Sequence, residues 1–268
     1  MQYGVGVVQY SPVFGQVESN AAHSSELILK AVSDGADLVV LPELCNTGYI
    51  YDSRDHAYSC GEDITDSVSI RAWHKVALNH SVYVVAGMNE RYQGRSYNTA
   101  VLIGPEGLIG VYRKLHLWDK ENLVFHKGEA FPEVYALPFA NVSMQICYDL
   151  WFPEVSRKQA LLGADLICVP TNWSPTPEGK AYDQYGLFAG HYLLISNAIA
   201  NNLAFACADR IGQECELQFL GGSSLIDSTG QVLHLSGRDN EDVKVVQMNS
   251  SSDNKKFLVN RRTEFYKI

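Results

Sequence analysis

The sequence predicts an α/β fold in which two β-sheets lie face to face with helices outside. Two observations carry this reading. Short apolar runs of strand length alternate with segments of helical spacing along the chain, and no linker interrupts them. In addition, one helix-to-strand joint occurs twice: GADLVVLPE at 35–43 returns as GADLICVPT at 163–171. Each copy follows a helical segment and ends a strand at a proline, so the chain reads as two similar layers related by a pseudo-two-fold. Helix–glycine–strand joints also resemble one another for purely physical reasons. If the repeat is structural, Glu43 and Thr171 fall at matching strand ends, where α/β folds gather their sites.

The elements follow in order. Tyr3–Gln9 is an apolar strand, and Ser11-Pro12 leads to a helix over Asn20–Ser33 with Asn20 as its N-cap. Leu38–Leu41 is a continuous apolar strand. Ile64–Asn79 has helical spacing; Val82–Met88, Thr99–Ile103 and Leu108–Arg113 read as strands. The turn residues Gly104-Pro105-Glu106-Gly107 join the last two as a hairpin. Val142–Cys147 is another strand, and Pro153, suited to a first helical position, opens a helix to about Leu162. Strands follow at Leu203–Ala208, Ser223–Ile226, Val232–Leu235 and Val243–Met248. Asn249–Lys256 is polar and loop-like, and 257–268 reads as a C-terminal arm of a single domain spanning 1–268.

Bulk properties narrow the function. With 46% apolar residues the 268-residue chain can bury a large core. A formal charge of −9, with no basic stripe, argues against nucleic acid as a partner. No basic n-region with an apolar h-region opens the chain, and no uncharged stretch is long enough to span a bilayer. The six cysteines form no C-x-x-C pair, and several sit within apolar runs, which reads as a reducing cytoplasm rather than a disulfide framework.

Three residues need one another. Cys147, in QICYDLWFPE, ends an apolar run; taken alone, such a cysteine is most often an inert core thiol. A nucleophilic thiol needs a base or a nearby cation, and attack on a carbonyl carbon needs fixed donors for the charge that develops. No histidine stands out as that base. Glu43 follows LVVLP at a strand end, where partial desolvation raises a carboxylate toward a useful base range. Lys114 ends the strand GVYRK, where alternation can turn it inward. Alone, each reads more readily as a solvated charge.

Together, LPELCNTGY, YRKLHLW and ICYDLWFPE resemble the three signature segments of the nitrilase superfamily of carbon–nitrogen hydrolases. QYSPVFG, PTNW and ADRIGQE…FLGGSSLID extend the resemblance over nearly the whole chain. It implies a four-layer α-β-β-α sandwich and a hydrolase with Cys147 as nucleophile, Glu43 as base and Lys114 as oxyanion partner, aided by the backbone N–H of Tyr148. A second, positioning glutamate follows the lysine in the family. Glu121 matches it; Asp119 and Glu129 are weaker candidates. No metal or organic cofactor is implied. The turn after Cys147 is expected to be tight, like a nucleophile elbow, and to end at Pro153.

The resemblance reaches less far toward the substrate. Tyr148-Asp149 stands where acid-forming nitrilases carry Trp-Glu, and Trp151 stands where amidases of dicarboxylic ω-amides carry Arg. A small amide is therefore expected, with an N-carbamoyl amine or a nitrile as alternatives, and Asn172 and Trp173 as substrate contacts beside Trp118 and Trp151. Two rival readings are a metal cluster of His116, Asp119, Glu121 and His126, whose spacing fits no zinc motif, and a catalytically silent binding protein, a branch that usually lacks one of the three residues present here. A homodimer or larger assembly is expected, through the helix faces flanking the second GAD strand and the arm.

Overall fold

The computed structural model describes residues 1–175, 182–249 and 256–265. The first half of the chain supplies strands β1 (Gln2–Gln9), β2 (Leu38–Val40), β3 (Tyr83–Tyr92), β4 (Arg95–Gly104) and β5 (Gly107–Arg113). The second supplies β6 (Val134–Ala136), β7 (Asn141–Met144), β8 (Leu166–Pro170) and β9 (Ala204–Ala208), then the small hairpin β10 (Gln213–Glu214) and β11 (Leu217–Gln218). It ends with β12 (Ser224–Ile226), β13 (Val232–Leu235) and β14 (Asp242–Asn249). The main helices are α1 (Val17–Ser33), α2 (Arg54–Cys60), α3 (Val68–His80), α4 (Glu121–Val124), α5 (Pro153–Leu161) and α6 (Ala189–Asn201).

Two six-stranded sheets result, in the orders β14-β1-β2-β3-β4-β5 and β13-β12-β9-β8-β7-β6. Each has a parallel three-strand centre, β1-β2-β3 in one and β7-β8-β9 in the other, flanked by antiparallel strands. The repeated GAD segments build β2 and β8, the middle strands of those centres, so the echo is structural. Side chains alternate as a strand requires. Leu38 and Val40 of β2 enter the core between the sheets, whereas Val39 and Leu41 face the layer of α1 and α3. On the other side α5 and α6 cover the second sheet, completing the four layers. Central strands buried on both faces read as continuous apolar runs, which is why they are visible in the sequence.

Several expectations need correction. Asn20 does not cap α1, which starts at Val17 after Gln16. Its buried carboxamide instead bridges Val13 N–H, Val13 C=O and Asn46 C=O, because two loops there need a donor and an acceptor more than the helix needs a cap. The helical segment 64–79 divides into a 3₁₀ turn (Ile64–Asp66) and α3, where the Ser67 side chain caps Ile70 N–H. β7 stops at Met144, short of Cys147. Helix α6 carried no amphipathic signal, being largely apolar, and the β3–β4 hairpin was hidden in its Gln93-Gly94 turn, where both residues have positive φ. Most of the polar stretch 249–256, residues 250–255, and the end of the arm, 266–268, lie outside the described residues; 256–265 form a short helix and a 3₁₀ turn, with Leu258 against the core.

Candidate active site

Three strand ends place three side chains. Glu43 lies just past β2, where Leu41 N–H still bonds to Val85 C=O and Cys45 N–H to Gly87 C=O. Gly87 is required there: a Cβ on it would stand 2.5 Å from Glu43 Cα. Glu43 N–H also reaches Thr171 C=O at 3.4 Å, so the matching ends of β2 and β8 meet at the site. Lys114 follows β5 and is tied by its N–H to Asn98 C=O and by its C=O to Gly128 N–H, both at 2.8 Å. Cys147 opens a 3₁₀ turn, Cys147–Trp151, with φ of 44°. A non-glycine residue in this left-handed region is strained, and such strain concentrates at functional sites. The turn leads into α5 at Pro153, so the tight bend after Cys147 is present, with Tyr148 in the turn rather than in the sheet ladder, which ends at Met144.

The turn is clamped to the lysine segment by Asp149. One of its oxygens accepts from Tyr112 Oη (2.7 Å) and Ile146 N–H (3.1 Å), the other from His116 N–H (3.0 Å) and His116 Nδ1 (2.8 Å). The residue that distinguishes this chain from Trp-Glu sequences is thus bound inside the fold, holding Cys147 and Lys114 in register.

Lys114 and the two glutamates form a buried ionic set. Lys114 Nζ donates to Glu43 Oε1 at 2.7 Å and to Glu121 Oε1 at 2.9 Å. Burial works against the ammonium, but Glu121 and Glu43 outweigh it and hold Lys114 above its ordinary pKa. The two carboxylates differ in what remains free. Both oxygens of Glu121 are engaged: Oε1 also accepts from Tyr49 Oη (2.8 Å), and Oε2 from Trp118 N–H (2.8 Å). Glu43 Oε1 takes Lys114 and Asn98 Nδ2 (2.6 Å), while its buried Oε2 has no hydrogen-bond partner among the described residues. Burial raises the Glu43 pKa to about 7 despite Lys114, and the charge of Glu121 adds to the rise.

Cys147 is buried beside this set. Burial and the Glu43 charge push its thiol well above the ordinary range; Lys114 and the backbone N–H of Asn172 pull the other way. Cys147 therefore holds its proton as a thiol, and a nucleophilic role would require a neighbouring base to take it. Cys147, Tyr148, Asn172 and Trp173 line one chamber of about 130 Å³ with Tyr49, Trp118, Trp151 and Phe188. Asn172 is 4% exposed, and neither its Oδ1 nor its Nδ2 has a partner among the described residues; the Trp173 indole N–H is likewise unbonded.

All the residues singled out in the sequence thus gather here, except the weaker alternatives. Glu129 is exposed and faces Arg95, and Asp119 is exposed. His116 is bound to Asp149 and His126 to Arg54; among the described residues no three potential metal ligands cluster. Sequence reasoning missed Tyr49 and Asn98. The signal for Asn98 was a polar residue inside the apolar strand NTAVLI; Tyr49 was visible only as part of LPELCNTGY.

Comparison with known proteins identifies the family. The carbon–nitrogen hydrolase family model matches residues 4–253, and the chain belongs to that family. It is 33% identical over 269 residues to a nitrilase of Pyrococcus abyssi, covering 98% of each chain. It is 31% identical to an (R)-stereoselective amidase of a Pseudomonas species, covering 88% of this chain and 81% of that one. An amidase of Nesterenkonia from the nitrilase superfamily, solved as a cysteine-to-alanine mutant, shares the fold with a TM-score of 0.80 at 24% identity, covering 98% of this chain and 95% of that one. The protein is a carbon–nitrogen hydrolase. Among the described residues no helix is long and apolar enough to cross a membrane, and all six cysteines are free.

Proposed function

We propose that the protein hydrolyses a small primary amide, releasing ammonia and a carboxylic acid through a thioester on Cys147. The observation that carries this reading is the unbonded Glu43 Oε2, on a carboxylate whose pKa is raised to about 7 beside a protonated thiol. A base poised near neutrality takes and returns protons most effectively. Glu121, with both oxygens engaged, holds Lys114 in place.

Glu43 takes the thiol proton as sulfur attacks the amide carbon and the carbonyl electrons move to oxygen. Lys114 and the Tyr148 N–H stabilise that oxyanion. As the intermediate collapses the C–N bond breaks, and the proton on Glu43 passes to nitrogen, which leaves as ammonia. Glu43 then takes a proton from water as its oxygen attacks the thioester. The second collapse expels sulfur, which recovers the proton from Glu43. Asn172 and Trp173 orient the substrate, since the Asn172 carboxamide offers an unbonded donor and acceptor in the chamber.

Amides, N-carbamoyl amines and nitriles assayed side by side for ammonia release test the reading. Amides should turn over fastest, and turnover should survive a chelator but not thiol alkylation. The nitrilase of Pyrococcus abyssi makes a nitrile the alternative, and turnover of nitriles alone would select it. We also propose a cytoplasmic homodimer or larger assembly, supported by exposed Leu161, Leu162, Tyr192 and Ile199 on and beside α5 and α6. Sedimentation at the monomer mass at micromolar concentration would contradict the assembly.

A further inference from the structure

Tyr49 stands where two cavities meet. With Trp118 it lines both the reaction chamber of about 130 Å³ and an outer cavity of about 570 Å³. The outer cavity is walled by residues 49–52, by the segment around α4 and by the β10–β11 hairpin. Tyr49 is held from several directions. Its hydroxyl donates to Glu121 Oε1 at 2.8 Å, and its ring meets Phe219 edge-on at 5.8 Å. Its backbone N–H and that of Ile50 both donate to Glu214 Oε1, at 2.8 and 2.5 Å. Glu214 is paired in turn with Arg210 at 2.8 Å, and that guanidinium lies 4.0 Å over the Phe219 ring.

Arg210 and Glu214 are both buried, and burying an ion pair costs desolvation on each partner, so the pair is a poor source of stability. What it secures is the place of two consecutive peptide groups in the Tyr49 loop. We infer that Arg210 and Glu214 are positioning residues for Tyr49, whose ring partitions the chamber from the outer cavity and so limits substrate length. The Tyr49 hydroxyl, by holding Glu121, keeps Lys114 drawn toward Glu43. This inference rests on the proposed Cys147 chemistry. Its consequences are separable: without the ring the two cavities join and longer groups reach Cys147. Without the hydroxyl, the Glu121 charge is less engaged, draws Lys114 away and bears more fully on Glu43, which then keeps its proton to higher pH.

Alkylation of Cys147 by iodoacetamide and by its N-hexyl analogue, followed by peptide mass, tests both without requiring turnover. The sulfur displaces iodide and Glu43 takes the thiol proton. Tyr49→Phe should slow both reagents roughly tenfold near neutral pH, the loss of one hydrogen bond to a charged group. It should also move the midpoint of the pH–rate curve upward and leave the ratio of the two reagents unchanged. Tyr49→Ala should raise the hexyl-to-parent ratio by about tenfold or more, the range over which pocket size discriminates. Arg210→Met combined with Glu214→Met, which leaves neither charge buried alone, should shift midpoint and ratio in those same directions. Tyr49→Phe keeps the ring packing and so tests the hydroxyl even if Tyr49→Ala does not fold. A wild-type ratio in Tyr49→Ala, a wild-type midpoint in Tyr49→Phe, or a double variant that moves neither would overturn the inference while the wild-type Cys147 still reacts selectively. A wild-type Cys147 that alkylates no faster than Cys168 overturns the proposed chemistry itself, and this inference with it.

Discussion

Cys147 and Cys168 are both buried thiols, one just past the end of a strand of the second sheet and one inside the neighbouring strand. Cys168 sits inside β8 with its backbone in the ladder, and burial alone pushes its thiol upward. Cys147 lies beyond the end of the neighbouring β7, out of the ladder and at positive φ, in a turn beside a carboxylate, a cation and a chamber. Burial therefore does not distinguish the two cysteines. Backbone exit from the sheet and the company of charges do, and the proposed chemistry rests on them. Desolvation that raises the Cys168 thiol also raises the Glu43 carboxyl to about 7, the range the proposed base requires.

The most severe way to probe this contrast is to remove the sulfur. Cys147→Ala should lower kcat by roughly 10⁴–10⁶-fold, the scale of removing a nucleophile, with the melting temperature nearly unchanged. Ammonia release at wild-type rate would end the proposed chemistry. Next comes the cation. Lys114→Ala removes an oxyanion donor, worth about 10²–10³-fold in kcat. It also leaves two buried glutamates facing each other, so a thermal melt must accompany the assay. Loss of stability without loss of rate per folded molecule would show the lysine to be structural only.

A milder change tests the clamp. Asp149→Asn keeps the shape but replaces one acceptor oxygen by an amide, loosening either the Tyr112–Ile146 side or the His116 side. We expect kcat to fall by about tenfold, as for outer-shell partners that orient a working group. KM should change less, since Asp149 does not line the chamber. A fall confined to KM would remove the positioning role.

The pH dependence bears on the base. In the proposed chemistry Glu43 is ionised to take the thiol proton, and its pKa is raised to about 7, so kcat/KM should rise with pH through that value. An acid limb near the ordinary carboxylate range of about 4 would mean that burial does not set the base. Glu121→Gln removes a charge that raises Glu43, so it should shift the limb to lower pH unless Lys114 moves with it.

How far the sequence speaks of all this depends on local physics. The central strands are legible because burial on both faces makes them uniformly apolar, and the GAD repeat alone sets Glu43 opposite Thr171. The motif segments locate Glu43, Lys114, Cys147 and Glu121. What cannot be read are relations set by tertiary packing. Asn20 carries a cap signature but is recruited to join loops. Cys147 continues the apolar run of β7 yet leaves the strand, because the Asp149 network pulls the turn toward Tyr112 and His116. The engagement of both Glu121 oxygens by Tyr49 and Trp118, on which the different work proposed for the two carboxylates rests, involves contacts that no spacing encodes.

The smallest expected effect returns to the other thiol. Cys168→Ala removes a buried core side chain that lies near Tyr3 of the first sheet, but no donor, acceptor or charge that the proposed chemistry uses. The cost should be about 1 kcal/mol of stability, the usual scale for a modest core truncation. It should appear as a lower denaturant midpoint with an unchanged slope. kcat, KM and the acid limb should remain those of the wild type, because β8 reaches the site through Thr171, Asn172 and Trp173, not through Cys168. A Cys168→Ala variant that lost activity while keeping its stability would mean that the strand interior, and not only its end, tunes the site. Cys147 would then differ from Cys168 in degree rather than in kind.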